Sequence, residues 1–206
     1  MKIKFAISAG LVLFSGLGLA FADTAVKTAS VPAPSVKQDA KVKEFKDILF
    51  KLVRQDEYLD EAIETLDSSR GPATPEEISA LGVSLNSIAK NLKHVSALNK
   101  TEFAAMQSGS SLSTYTNTIL SYSRKVNRKA GQVNLLVAKL AAKNKKTSMR
   151  DAVSSKKGGK KARGKKLTQI LEEQKAVAKL AADARNLGAA SRDLNATSKW
   201  LYIASQ

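Results

Sequence analysis

Apolar residues recur in steps of three and four along four long stretches of this chain, a spacing that confines it to amphipathic helices packed side by side. The first stretch puts Phe45, Leu49, Leu52, Leu59, Ile63 and Leu66 on one face, running from Val42 to about Ser69, where Arg70-Gly71-Pro72 stops it. The second carries Ile78, Leu81, Leu85, Ile88, Leu92 and Val95, continues less cleanly to Phe103 and Met106, and breaks at Ser108-Gly109-Ser110-Ser111. The third holds Leu112, Tyr115, Ile119, Tyr122, Val126, Val133, Leu136 and Leu140 and fades at about Lys143. In the fourth, Val177, Leu180, Ala184, Leu187, Ser191, Leu194, Ser198 and Leu201 alternate strictly by three and four. Its small members let a neighbouring helix approach closely.

The sharpest start signal is Thr74-Pro75-Glu76-Glu77, which offers an N-cap, a proline at the first helical position and a capping-box glutamate. Connections of a few residues join the first helix to the second and the second to the third, which predicts antiparallel neighbours. The expected fold is all-α: an up-down-up-down bundle of four helices, each of roughly 30–35 residues. It occupies one domain over 38–206, with a basic loop at about 144–166 between helices three and four. Two loosely joined helical hairpins are the alternative architecture.

The N-terminus reads as an export signal. Lys2 and Lys4 precede an apolar run from Phe5 to Leu19, then Ala20-Phe21-Ala22 and Asp23. A cut after Ala22 assigns 1–22 to a signal peptide and leaves 184 of 206 residues, opening with a flexible proline-bearing lead over 23–37. A membrane anchor is the competing reading, against which the apolar run falls short of the ~20 residues a spanning helix needs. The chain has no cysteine. That excludes disulfides, a lipoprotein thiol, thiolate metal sites and cysteine nucleophiles. The expected location is periplasmic or secreted.

Charge is distributed very unevenly. The formal net charge is +16, and between Arg124 and Lys166 sixteen Lys or Arg residues face a single acid, Asp151. The expected polyanion-binding residues are Arg124, Lys125 and Arg128 on helix three. Beyond them come Lys143 at the end of that helix and Lys145, Lys146, Arg150, Lys156, Lys157, Lys160, Lys161, Arg163, Lys165 and Lys166 in the predicted loop. A cationic segment of this kind gains affinity for a polyanion by releasing counterions, and near an anionic membrane each Lys or Arg contributes ~1 kcal/mol. The plain alternative is a loop that only keeps the protein soluble and monomeric. Sequence-specific reading of nucleic acid is not expected, because the segment has no aromatic residue for stacking and no recognition motif accompanies it.

Two residues interrupt the apolar stripes. Asp56 in helix one and Lys129 in helix three lie at similar heights in an up-down-up-down bundle, and a structural ion pair between them would fix helix register. Otherwise both side chains bend out to solvent along their stems. Asp56, Glu57, Asp60, Glu61, Glu64 and Asp67 crowd the end of helix one. Lys175 and Lys179 of helix four are the expected complement, with a divalent-cation site as the other reading.

The chemistry for catalysis is missing. His94 is the only histidine, which leaves no two-histidine di-iron site and no acid-base set for an activated serine; haem would need a second axial ligand facing it. Gly159 to Lys165 fits the bare spacing of a phosphate loop, yet Lys166 stands where Ser or Thr belongs and no strand precedes it. The carboxylates of helix one share one exposed face, so they do not flank a glycosidase cleft. Neither enzyme activity, cofactor nor metal is expected. Trp200 and Tyr202 are expected to pack at the end of the bundle, with gripping of a partner as the alternative.

The functional expectation is an exported, non-enzymatic binding protein for an anionic polymer or surface: envelope polyanion, anionic lipid or extracellular DNA. A periplasmic holdase chaperone or adaptor for protein clients is the rival. A subunit that orders in a homo-oligomer or larger assembly is a third.

Overall fold

Four helices follow in order in the computed structural model: α1 (Val36–Asp67), α2 (Pro75–Ala105), α3 (Ser113–Ser154) and α4 (Lys160–Ala204). The structure describes residues 36–68, 71–72, 74–105, 112–154 and 160–206, without the side chains of 36–40, 105, 148–154 and 160–166. The expected signal peptide and most of the expected lead therefore lie outside the described residues. No described helix is long and apolar enough to cross a membrane.

The stop between α1 and α2 is local chemistry. Gly71 takes a left-handed φ of 56°, which a glycine adopts without the Cβ penalty. Its N–H donates to the Ser68 carbonyl at 2.9 Å. The α2 capping box is reciprocal: the Glu77 N–H donates to Thr74 Oγ1 and the Thr74 N–H to Glu77 Oε2, both at 3.2 Å. Two donors that the helix end would orphan are thereby satisfied.

All eight stripe positions of α4, from Val177 to Leu201, are buried, as are Ile78, Leu81, Leu85, Ile88, Leu92 and Val95 of α2. Phe45, Leu52 and Leu59 of α1 and Ile119, Val126 and Val133 of α3 complete the same core, with Val137 added to it. Burial of such side chains stabilises by ~1.5–3 kcal/mol each.

The pairing of helices differs from the simplest expectation. Among the described residues α1 packs on α2 and α3, and α4 packs on α2 and α3, so α1–α4 and α2–α3 are the diagonals. Gly82 lies against Leu180 and Asp183, while Asn99 bonds Ser198, so α2 and α4 run parallel. Helices α2 and α3 are antiparallel as expected, but they are not neighbours. Seven residues separate Ala105 from Ser113. Such a length spans up to ~23 Å, more than the ~14 Å diagonal of a bundle with 10 Å sides, so a short connection does not force adjacency.

Two of the helices are longer than the apolar periodicity predicts. α1 and α2 have 32 and 31 residues, but α3 has 42 and α4 has 45. The expected loop at 144–166 is therefore largely helix. Its Lys, Arg, Ala and Gln are good helix formers, and like-charge neighbours cost only ~0.2–0.5 kcal/mol per pair. Its apolar stripe fades because α1 and α2 end at that level. Leu66, Asp67 and Pro72 meet Leu140, Lys143, Thr147 and Glu173 around a cavity of about 430 Å³. Beyond it α3 and α4 continue without the other two helices, and the projecting part of α4 before Glu173 is ~20 Å long at 1.5 Å per residue.

Candidate polyanion-binding surface

Helix α3 sorts its cations by the face on which they fall. Lys125 and Lys129 turn toward α1. There Lys125 Nζ lies 2.6 Å from Asp56 Oδ2 and Lys129 Nζ 2.6 Å from Asp56 Oδ1. The Lys129 ammonium also donates to Asp60 Oδ2 at 2.6 Å and to the Asp56 carbonyl at 3.2 Å. The Asp56 and Lys129 side chains are only 7% and 13% exposed, so this is a half-buried cluster rather than a surface pair. Burial pushes the Asp56 carboxyl up, yet the hydrogen bonds and charges of Lys125 and Lys129 outweigh it and hold the group below the ordinary carboxylate range. Hydrogen bonding to Asp56 in turn raises Lys125, against a smaller opposing effect of burial.

This cluster changes the reading of two sets of residues. Lys125, expected to face a polyanion, is committed to Asp56. The complement of Asp56 and Asp60 comes from α3, and Lys175 and Lys179 do not answer the helix-one acids, because α4 lies on the diagonal from α1. Among the described residues no three His, Asp or Glu side chains converge as a metal-ligand set.

The outer face of α3 is different. Arg124, Arg128 and Lys146 are exposed there, and Lys139 and Lys143, also exposed, stand at its edge on the rim of the cavity beside Leu66 and Asp67. Their spacing in steps compatible with 3.6 residues per turn sets them within roughly a quarter of the helix circumference. Exposed Leu135 sits in the middle of the same row. None of the five cations is ion-paired among the described residues. Lys145 is exposed on a different side of the helix. Lys139, omitted from the expected set, belongs to the row, and counting every residue at helical spacing from Arg124 would have found it.

Arg150 continues the spacing in α3, while Lys160, Lys161, Arg163, Lys165 and Lys166 lie in the first turns of α4. The side chains of these six, and the whole of Lys156 and Lys157, lie outside the described residues. The expected site is thus not a single loop. Arg124 and Arg128 sit beside the bundle core, ~23–28 Å along the axis from Lys143. The α4 side of the projection begins its described side chains with exposed Leu167 and Leu171.

Inside the bundle a polar seam accompanies α4. Ser96 Oγ donates to Asp193 Oδ2 at 2.5 Å, Ser123 and Ser198 hydroxyls lie 2.6 Å apart, and Thr116 and Ser205 hydroxyls 2.6 Å apart. The Ser96 bond, together with Lys100, holds Asp193 below the usual carboxylate range against the opposing effect of burial. At the end remote from the projection, Phe103 and Trp200 line a groove of about 400 Å³ with Lys100 and Thr197. Trp200 is 59% exposed and Phe103 45%, so the expected end-packing role does not describe Trp200. Tyr202 is half-buried.

No protein-family model, curated protein or solved structure matches this chain.

Proposed function

We propose that the protein is an exported, non-enzymatic binding protein that holds an anionic polymer or surface along the outer face of α3 and the helical projection. The carrying observation is the row Arg124, Arg128, Lys139, Lys143 and Lys146: exposed, without acid partners among the described residues, and set on a rigid helix. A row fixed by the bundle presents its charges without first being ordered, so less conformational entropy opposes binding than for a loop. The affinity is electrostatic and falls steeply with salt as phosphates or other anions exchange their counterions for Lys and Arg. Membrane lipid, envelope polymer and extracellular DNA all present repeated negative charge of this kind.

The test is co-sedimentation with anionic vesicles, lipopolysaccharide, wall material and DNA at low and high salt. One variant carries Gln at Arg124, Arg128, Lys139, Lys143 and Lys146; a second carries Gln at Lys156, Lys157, Lys160, Lys161, Arg163, Lys165 and Lys166. Salt-sensitive binding to one partner, weakened and with a shallower salt slope in the variants, supports the reading. Equal behaviour of all three proteins overturns it.

The exposed Phe103–Trp200 groove favours a second reading, a holdase that covers apolar segments of protein clients. That reading requires suppression of client aggregation that persists at high salt and is lost in Trp200→Ser.

A further inference from the structure

We infer that the groove between α1 and α2 centred on Arg54 is a binding site for a small aromatic anion, an aryl carboxylate or aryl phosphate. This site is independent of the cationic face of α3, which packs on α1 from another side.

The groove has a volume of about 350 Å³, enough for a compact ligand. Its α1 wall presents Phe50, Lys51, Arg54 and Tyr58, and its α2 wall Asn91 and His94. Phe50 is 67% exposed, the largest exposure among the big apolar side chains of the described residues. A ligand ring laid against it would remove that surface from water. Arg54 is held in place by its own neighbour one turn on: its Nε donates to Tyr58 Oη at 2.9 Å, and its guanidinium carbon lies 5.7 Å from the Tyr58 ring centroid. Tyr58 thereby occupies the inner nitrogen and leaves the two terminal nitrogens of the guanidinium to an outside acceptor. These form the fork that binds a carboxylate or phosphate through two parallel hydrogen bonds.

Buried Gln55 and Val95 form the base of the groove, and a hydrogen bond between two side-chain amides organises it. Asn91 Nδ2 donates to Gln55 Oε1 at 3.3 Å, and Gln55 is buried. The charge around it has one sign on the α2 side. From Ile78 to Thr101 that helix contains no Asp or Glu, while Lys90, Lys93 and His94 fall within it. Arg54 has no acid partner among the described residues. A pre-oriented guanidinium, a second cation at Lys51, a half-exposed aromatic pair and an amide floor together match an anion carrying a flat apolar body. An uncharged arene leaves the guanidinium fork unused.

His94 is the only histidine of the chain, so its imidazole C–H resonances report on this groove without ambiguity. The full chain is titrated at constant pH and salt with benzoate and with phenyl phosphate, and in parallel with acetate, which lacks the ring, and benzyl alcohol, which lacks the charge. The expected result is a saturable shift of the His94 signals with benzoate or phenyl phosphate, at least about tenfold weaker for acetate and for benzyl alcohol. Arg54→Gln and Phe50→Ser each weaken the aromatic anion by a similar factor, and Arg54→Lys recovers only part. Both residues are exposed, so circular dichroism should show unchanged helix content in each variant. Co-sedimentation with polyanion should be unaffected by Phe50→Ser, which separates this site from the α3 face. No saturable shift, equal binding of acetate or benzyl alcohol, or unchanged affinity in both variants would overturn the inference.

Discussion

Removing Asp56 should damage this bundle more than removing any other carboxylate, and removing its partner with it should repair most of the damage. In Asp56→Asn the charge disappears from a side chain that is only 7% exposed and touches two ammonium groups at 2.6 Å. Lys129, 13% exposed, is then left with Asp60, whose carboxylate is 62% exposed and attracts weakly. Breaking a fully buried pair costs ~3–5 kcal/mol, and the remaining Asp60 contact and the half-exposed Lys125 reduce that to about 2 kcal/mol. Lys129→Met strands a buried carboxylate beside Lys125 alone and should cost about 2–3 kcal/mol by the same reasoning. The double variant Asp56→Leu, Lys129→Met restores the two interrupted apolar stripes. It should lie within about 1 kcal/mol of the parent, because desolvation of the pair no longer has to be offset. The assay is urea unfolding at pH 7 followed by circular dichroism, run as a double-mutant cycle with Asp56→Leu as the other single variant. At this chain size the single variants should also melt about 4–8 °C lower. A coupling energy under about 0.5 kcal/mol would refute the reasoning and return both residues to the class of solvent-facing charges.

The pH dependence has two opposing parts. Asp56 and Asp193 have folded-state pKa values below their unfolded ones, so their stabilisation is present above pH ~4 and is lost as pH falls toward the folded values. Glu102 is the reverse: burial and repulsion from Glu44 raise it against the pull of Lys41, so its ionisation opposes folding and acidification through its pKa relieves that. Urea midpoints measured from pH 7 down to pH 3 should therefore rise slightly toward pH ~4 in the parent but stay flat in Glu102→Gln, and fall in both below it. Ser96→Ala removes a donor from Asp193 inside the α2–α4 contact and should lower stability by about 1–2 kcal/mol in the same assay. Gly82→Leu should cost more, about 2–3 kcal/mol, because even a Cβ at Gly82 stands 3.0 Å from Asp183 Oδ2; a wild-type midpoint there would show that α2 and α4 do not approach closely.

Much of the architecture was legible residue by residue. The α4 stripe could be written out in full because its strict alternation reflects two packed sides, α2 and α3, and every position in it is buried. Thr74 and Glu77 announced the start of α2 because a capping box involves only groups three residues apart. Asp56 and Lys129 drew notice as charges standing in apolar stripes. Lys125 did not, since a residue one turn earlier on the α1-facing side looks in sequence like any exposed lysine. The ends of α3 and α4 were misjudged for a related reason. An apolar stripe records neighbours, and beyond the level of Asp67 and Pro72 the neighbours stop while the helices do not. The Arg54 groove gave no signal in sequence, because Phe50 and Arg54 meet His94 and Asn91 only across the α1–α2 contact.

The sequence by itself determined the helical class, the four apolar faces, the turn at Gly71 and Thr74, and the concentration of positive charge after Arg124. All of these depend on residue type and on partners within about four positions along the chain. Tertiary structure alone decided that α2 lies parallel to α4 and diagonal to α3, that α3 and not α4 answers the acids of α1, and which α3 cations remain free to meet a partner. Those outcomes depend on which apolar face meets which. A short connection permits either adjacent or diagonal placement, so the burial of all four faces together makes the choice.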